Sequence, residues 1–267
     1  MKRLNGVGLQ DVQAVYSGPE GRLWELLMGE QIHIGGLRSS MDLAGKAGIQ
    51  PGMRGVDLCC CTGAGMRFLL RFREVEHMHG VDATPAMIEL GRQRCRNAGL
   101  AQRTEFTLAE AIRTGLPSEC ADFVWGEDAW CYVEDKAALI AEAVRLVKPG
   151  GIIAFTDWVE AGPGLSDAQA ERFMRFMKFP TLQDLKGYPD LLVRNGCAVQ
   201  TAEDTGRFAP CVDLYLNMVE MQLTYDALRI IGFDSAVMEA IGSEMRFIQQ
   251  MAHEGRIAQG LFVARKL

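Results

Sequence analysis

The chain has 267 residues, 48% hydrophobic and 23% charged, which suits one large soluble globular domain with an ample core. A net charge of −6 without any basic block argues against a surface that neutralises nucleic-acid phosphates. No apolar run is long enough to span a bilayer or to read as a leader behind Lys2 and Arg3, and eight cysteines without paired spacing read as reduced thiols of a cytoplasmic protein.

Residues 11–45 read as amphipathic helix around Leu23, Trp24, Leu26, Leu27 and Met28, interrupted at Ile32-His33-Ile34-Gly35-Gly36. Pro51-Gly52 is a turn signal before a first strand, Gly55–Leu58, which runs into a small-residue loop and a helix near Gly65–Arg73. Strand Met78–Asp82 leads to a helix over Pro85–Ala98, where Pro85 suits the first turn. Strand Thr104–Leu108 precedes a loop with Pro117. Strand Ala121–Trp125 precedes a helix over Lys136–Val147, which Pro149-Gly150-Gly151 stops before strand Ile152–Asp157. Strands alternating with helices imply an α/β, Rossmann-like fold: a mostly parallel sheet with helices on both faces.

Beyond Glu160, Ser166 opens a helix with Ala170, Phe173, Met174 and Met177 on one face, and Phe179-Pro180 ends it. Thr181 to Asp184 reads as a capping box opening a second short helix that ends near Asn195-Gly196. Cys197–Thr205 is a sixth strand, followed by apolar helices over Val212–Ile231 and Ser235–His253 and a seventh strand at the end. The division expected is one domain: lid helices at 11–45, a core at 50–160, helical cap insertions at 161–196 and 211–255, and a final strand within 257–267.

Val56-Asp57-Leu58-Cys59-Cys60-Cys61-Thr62-Gly63-Ala64-Gly65 reads as a strand entering a tight loop and then a helix. Small residues there let backbone and a helix N-terminus approach a ligand closely. Asp57 at the first strand end would repel a pyrophosphate but suits a ligand with an ammonium, a sulfonium and a ribose, as in S-adenosyl-L-methionine (SAM). Asp82 ends the next strand, where an ionised acid can take both ribose hydroxyls. Ala83 follows it, and Met87 is placed to pack under an adenine, whose amino group Glu110 and Ala111 are placed to hold. Glu127-Asp128-Ala129-Trp130 lies on the lip after the fourth strand. In an open parallel sheet, ligands sit at these carboxyl ends. Adjacent cysteines point in different directions and lack the spaced pairs of zinc sites, so no metal is expected.

This set resembles the class I SAM-dependent methyltransferases, clearly over residues 50–160. Their first motif is an acid, an apolar residue and Gly-x-Gly-Thr-Gly-x-Gly. Cys59 and Cys61 stand at the first two glycine positions, where a small thiol fits with negative φ, while Thr62, Gly63 and Gly65 are retained. A narrower resemblance is to the sarcosine/dimethylglycine N-methyltransferases, through Glu30-Gln31-Ile32-His33-Ile34-Gly35-Gly36, Glu127-Asp128-Ala129-Trp130 and Phe155-Thr156-Asp157-Trp158. Phosphoethanolamine N-methyltransferases share the outline. The comparison implies that Tyr16 and the His33–Gly36 loop close over SAM.

Methyl transfer needs a lone pair in line with the sulfonium, and no strong base is obligatory for an amine bound neutral. His33 has the pKa range of a base, and Asp128 or Asp157 can orient an amine. Trp130, Tyr132 and Trp158 are candidates for an aromatic wall around a methylated ammonium, and Arg172 and Arg175 for a substrate carboxylate. The expectation is methyl transfer to a small molecule, an amine such as sarcosine or dimethylglycine. The alternatives are C- or O-methylation of a hydrophobic quinone-like or natural-product acceptor, and a non-catalytic SAM-binding or interaction module. A nicotinamide enzyme is disfavoured, because Gly63-Ala64-Gly65 is followed by Met66-Arg67-Phe68 without a third glycine at dinucleotide spacing.

Overall fold

A computed structural model describes residues 1–267. In chain order its elements begin with β1 (Lys2–Arg3), α1 (Leu9–Ser17), α2 (Pro19–Met28), α3 (Gly36–Ala47), β2 (Arg54–Leu58) and α4 (Ala64–Phe72). Then come β3 (His77–Asp82), α5 (Pro85–Asn97), β4 (Thr104–Leu108), β5 (Ala121–Glu127), α6 (Lys136–Leu146) and β6 (Val147–Glu160). The rest is α7 (Asp167–Met177), β7 (Thr181–Leu182), α8 (Gly187–Arg194), β8 (Cys197–Asp204), α9 (Phe208–Met221), α10 (Thr224–Ile230), α11 (Ser235–His253) and β9 (Ile257–Lys266).

Seven strands form one sheet in the order β4-β3-β2-β5-β6-β9-β8. Strands β2 to β6 pair in parallel, and β9 runs antiparallel between β6 and β8. The order reverses between β2 and β5, so a crevice opens above their carboxyl ends.

Side chains alternate across the sheet with period two. On β5, Phe123 and Trp125 face the side packed by Leu43, Met66 and Leu69, while Val124 faces the side packed by Leu139 and Ile140. Phe123 fills the space over Gly55, where an added Cβ would lie 2.2 Å from its ring, so β2 needs glycine there. A third cluster sits above the sheet, where Trp24, Ile34, Trp158, Phe173, Phe208 and Ile248 join α2, α7, α9 and α11.

Four local expectations are corrected. The N-terminal helix is three helices, broken at Gly18 and over 29–35. The helix expected over Val212–Ile231 divides into α9 and α10 at Gln222 and Leu223. Thr181 opens no helix: it lies in β7, paired with Arg3 of β1, and its hydroxyl donates to the carbonyls of Val133 and Glu134. The buried hydrogen-bonding demand of that crossing outweighs the local capping pattern, and the capping box is instead the one between Ser166 and Gln169 at α7. Finally, α8 is not part of a cap, because Tyr188 and Leu192 are packed in the sheet core with Phe155 and Phe262.

Candidate active site

The loop after β2 is built around left-handed backbone. Cys59 and Cys61 have φ of 63° and 48°, and Gly63 has 71°. The negative φ expected at the two cysteines is therefore wrong: they adopt the conformation that glycine adopts freely. Left-handed φ costs an L-residue about 1–2 kcal/mol. Hydrogen bonds impose it here. The Cys60 N–H donates to Val81 O at 3.0 Å, Cys61 N–H to Asp82 Oδ2 at 2.9 Å and Gly63 N–H to Cys60 O at 2.7 Å. At Gly65 an added Cβ would sit 2.8 Å from Glu127 Oε2 and 3.2 Å from Asp57 Oδ2, so only hydrogen fits between the acids.

Asp82 closes β3 and accepts backbone N–H groups from Cys61 and from Thr84, the latter at 2.8 Å. Ala83 O accepts Gln13 Nε2 at 2.7 Å, which ties α1 down beside this turn. These strand ends border a cavity of about 530 Å³. Of the expected cofactor residues, Tyr16, Asp57, Cys59, Thr62, Gly65 and Asp82 line it, as do Ala83, Met87, Glu110, Ala111 and Glu127. Gly63 does not. It lies behind the wall, where a Cβ would be 2.9 Å from the Phe106 ring.

Burial pushes the Asp57 carboxyl well above the usual range, and the neighbouring Glu127 and Asp82 raise it further. Burial also raises Asp82, against its hydrogen bonds from Thr84 and Cys61. A ligand cation placed among these carboxylates relieves that crowding.

The segment before α3 folds over the same cavity. His33 is 4% exposed, with Nε2 3.2 Å from Ser40 Oγ and 3.3 Å from Glu127 Oε1. Ser40 donates to Glu127 Oε1 at 2.6 Å. Asp128, at φ 50°, accepts Ile34 N–H at 2.8 Å and Gln259 Nε2 at 2.8 Å. Burial raises the Asp128 carboxyl, which His33 and its donors oppose. Tyr16 donates to the Tyr132 hydroxyl at 3.1 Å, with their rings edge to face at 5.6 Å. Sequence reading missed Ser40 and Gln259. Gln259 is fully buried in β9, and its one signal was a polar side chain inside the apolar run Ile257–Phe262.

Several expected residues lie away from the cavity. Asp157 is fully buried under it, accepting Cys131 N–H at 2.9 Å and the Tyr188 hydroxyl at 2.5 Å; burial raises it to about 6, against Lys136 and Tyr188. Alternation along β6 puts Asp157 on the face of Phe155 and Val159, and Trp158 on the other. Trp130 stacks on Phe155 at 4.0 Å and donates to Leu58 O, while Trp158 packs on Phe208 at 4.7 Å. Arg172 pairs with Glu244 at 3.0 Å, and Arg175 with Glu171 at 2.8 Å, both outside the cavity. Of the residues expected to form the aromatic wall or the carboxylate clamp, Tyr132 alone faces the cavity; of the expected catalytic residues, His33 and Asp128 do. Arg3, Glu134, Asp135 and Pro180 complete its mouth.

Residues 56–155 match the family model described as a methyltransferase domain. Phosphoethanolamine N-methyltransferase 1 of Arabidopsis thaliana is 26% identical over 192 residues, 72% of this chain and 38% of that protein. Dimethylglycine N-methyltransferase of Parasynechococcus marenigrum is 30% identical over 175 residues, 59% of this chain and 61% of that protein. The chain thus spans under two thirds of the length of these relatives. Phosphoethanolamine N-methyltransferase 2 of Haemonchus contortus, solved in complex with SAM, has the same fold: TM-score 0.83 at 18% identity, covering 98% of this chain and 60% of that one. Residues 56–155 thus carry a methyltransferase domain, and the solved protein that shares the fold was determined in complex with SAM. The relatives that this chain resembles include N-methyltransferases of phosphoethanolamine and of dimethylglycine.

Proposed function

We propose that the protein transfers the methyl group of SAM to the nitrogen of a small amine. The observation that carries this is the cavity itself, where Tyr16, Tyr132 and Asp128 face the strand-end acids Asp57 and Asp82 across one space. Bound SAM supplies a methyl carbon activated by its sulfonium. In this reading Asp82 holds the ribose with the lone pairs its two backbone donors leave free, and Glu110 takes the adenine amino group. Gly65 gives an ammonium access to Asp57 and Glu127. Asp128 and the tyrosines orient the amine, and holding two reactants in line can supply roughly 7–11 kcal/mol of the barrier. His33, fastened to Ser40 and Glu127, keeps the 32–36 segment over the site and excludes water.

In the same reading, residues 11–45 act as a lid over the core at 50–160, and the helices around α7 and α9–α11 as a cap. Free thiols fit a reducing, cytoplasmic setting. The test is SAM consumption over a panel of glycine derivatives, ethanolamine derivatives, phenols and quinone precursors. Turnover of amines alone supports the reading, and turnover confined to phenols or quinones overturns it.

A second reading, methylation of a hydrophobic acceptor, draws on an apolar cavity of about 450 Å³ among α2, α9, α10 and α11, lined by Trp24, Leu27, Val219 and Ile241. It ranks below the first because no residue of the Asp82 or Gly65 loops borders that cavity.

A further inference from the structure

The apolar cavity between α2 on one side and α9, α10 and α11 on the other lies apart from the strand ends. At about 450 Å³ it falls within the roughly 300–1,000 Å³ range of small-molecule pockets. It shares no lining residue with the main cavity, so a molecule bound there is not the one that meets the strand-end acids. Its wall is aliphatic and aromatic. Leu27, Leu216, Val219, Ile230 and Ile241 line it and are only half-buried, so the packing of these helices leaves large apolar side chains in part uncovered. Protein interiors otherwise pack to nearly crystalline density, and an apolar molecule that fills such a space restores the contacts that its lining lacks.

Two charged side chains set what that molecule carries at its polar end. Glu20, in the first turn of α2, and Lys178, just after α7, are the only charged residues in the wall. They feel each other's charge without forming an ion pair or a hydrogen bond: burial raises the Glu20 carboxyl, against the attraction of the Lys178 ammonium. The Tyr215 hydroxyl is already engaged by Gly35 N–H at 3.4 Å. A carboxylate placed at this end meets Lys178 but also Glu20, and an ammonium meets Glu20 but also Lys178. A hydroxyl serves both, because it donates to the carboxylate and accepts from the ammonium. It also costs far less to bury than a full charge. We infer that this cavity is a second ligand site, which takes an uncharged apolar molecule ending in a hydroxyl.

The experiment titrates the full chain by calorimetry with 1-octanol, octanoate and octylamine, with neither SAM nor a methyl acceptor present. The expected result is that 1-octanol saturates a single site, with a Kd at least about tenfold below those of the two charged analogues. Ile241→Trp fills the cavity from α11 and should abolish that binding at an unchanged circular dichroism spectrum. Should that variant not fold, Val219→Phe makes the same test from α9. Glu20→Gln removes the charge that faces octanoate, so octanoate affinity should rise severalfold while that of 1-octanol changes little. Four outcomes overturn the inference: no binding of 1-octanol, uptake that does not saturate, octanoate or octylamine binding as tightly as 1-octanol, or binding that survives the filled cavity. An unchanged octanoate affinity in Glu20→Gln overturns the part given to that acid. Neither SAM nor an amine acceptor enters these titrations, so failure here leaves the N-methylation reading standing, and failure of that reading leaves this site in place.

Discussion

Asp82 accepts the backbone N–H of Cys61 at 2.9 Å, so the acid that ends β3 also fixes the loop that follows β2. In the proposed reading, this single carboxylate couples the ribose position to the geometry of the turn that would face the rest of the cofactor. Removing it strands two N–H groups, those of Cys61 and Thr84. Asp82→Ala is expected to weaken SAM binding by about a hundredfold, the equivalent of one or two hydrogen bonds to a charged group. Calorimetric titration with SAM measures it, and wild-type affinity in the variant would remove the ribose from this acid.

The left-handed backbone at Cys61 yields a stability prediction with a sign. A β-branched residue tolerates φ of 48° poorly. Cys61→Val should lose about 2 kcal/mol on denaturant unfolding, whereas Cys61→Gly should be at least as stable as the parent. If valine is tolerated as well as glycine, the turn is not held by the Val81 and Asp82 bonds.

Asp128 and Asp157 were both readable as amine-orienting acids, but only Asp128 borders the cavity. Asparagine accommodates positive φ, so Asp128→Asn keeps the turn while removing the charge. The kcat/KM for the amine should fall by about a hundredfold with SAM affinity retained. Asp157→Asn, buried beneath Cys131 and Tyr188, should alter thermal stability and leave kcat/KM close to wild type. The reverse pattern in steady-state kinetics would exchange their roles.

Glu142 provides a pH test. Burial alone would raise it, but hydrogen bonds from Arg145 and from Thr114 outweigh that and hold the carboxyl at about 2. A carboxylate lowered on folding stabilises the protein above its unfolded pKa near 4.5, and that contribution is lost as pH falls toward about 2. Arg145 is partly solvent-exposed, which screens the pair. Glu142→Gln should therefore cost about 1–2 kcal/mol at pH 7 and almost nothing near pH 2. Unfolding curves across that range decide it; a constant difference at all pH values would mean that packing rather than charge is lost.

The strand-end acids that line the cavity were legible because they are local. Asp57 and Asp82 lie at the ends of strands and Glu110 just beyond one; each end can be read from its apolar run, and parallel strands deliver those ends to one edge. The acceptor side was not. Trp130, Asp157 and Trp158 sit within a few residues of the correct lip, yet a strand turns successive side chains to opposite faces, and sequence spacing does not say which face is the core. Arg172 and Arg175 depend in the same way on the rotation of α7.

By itself, then, the sequence determined the alternating α/β plan, the seven-stranded sheet and the acids at its carboxyl edge, because periodicity and turn residues act over short range. Tertiary structure alone decided that Cys59 and Cys61 take up left-handed backbone, that Gln259 reaches from the last strand to fasten Asp128, and that Arg3 is neutralised by Glu134 at the cavity mouth. Those outcomes join residues more than a hundred positions apart or impose strain that local preference opposes. They exist only where long-range hydrogen bonds and packing outweigh the conformational cost of making them.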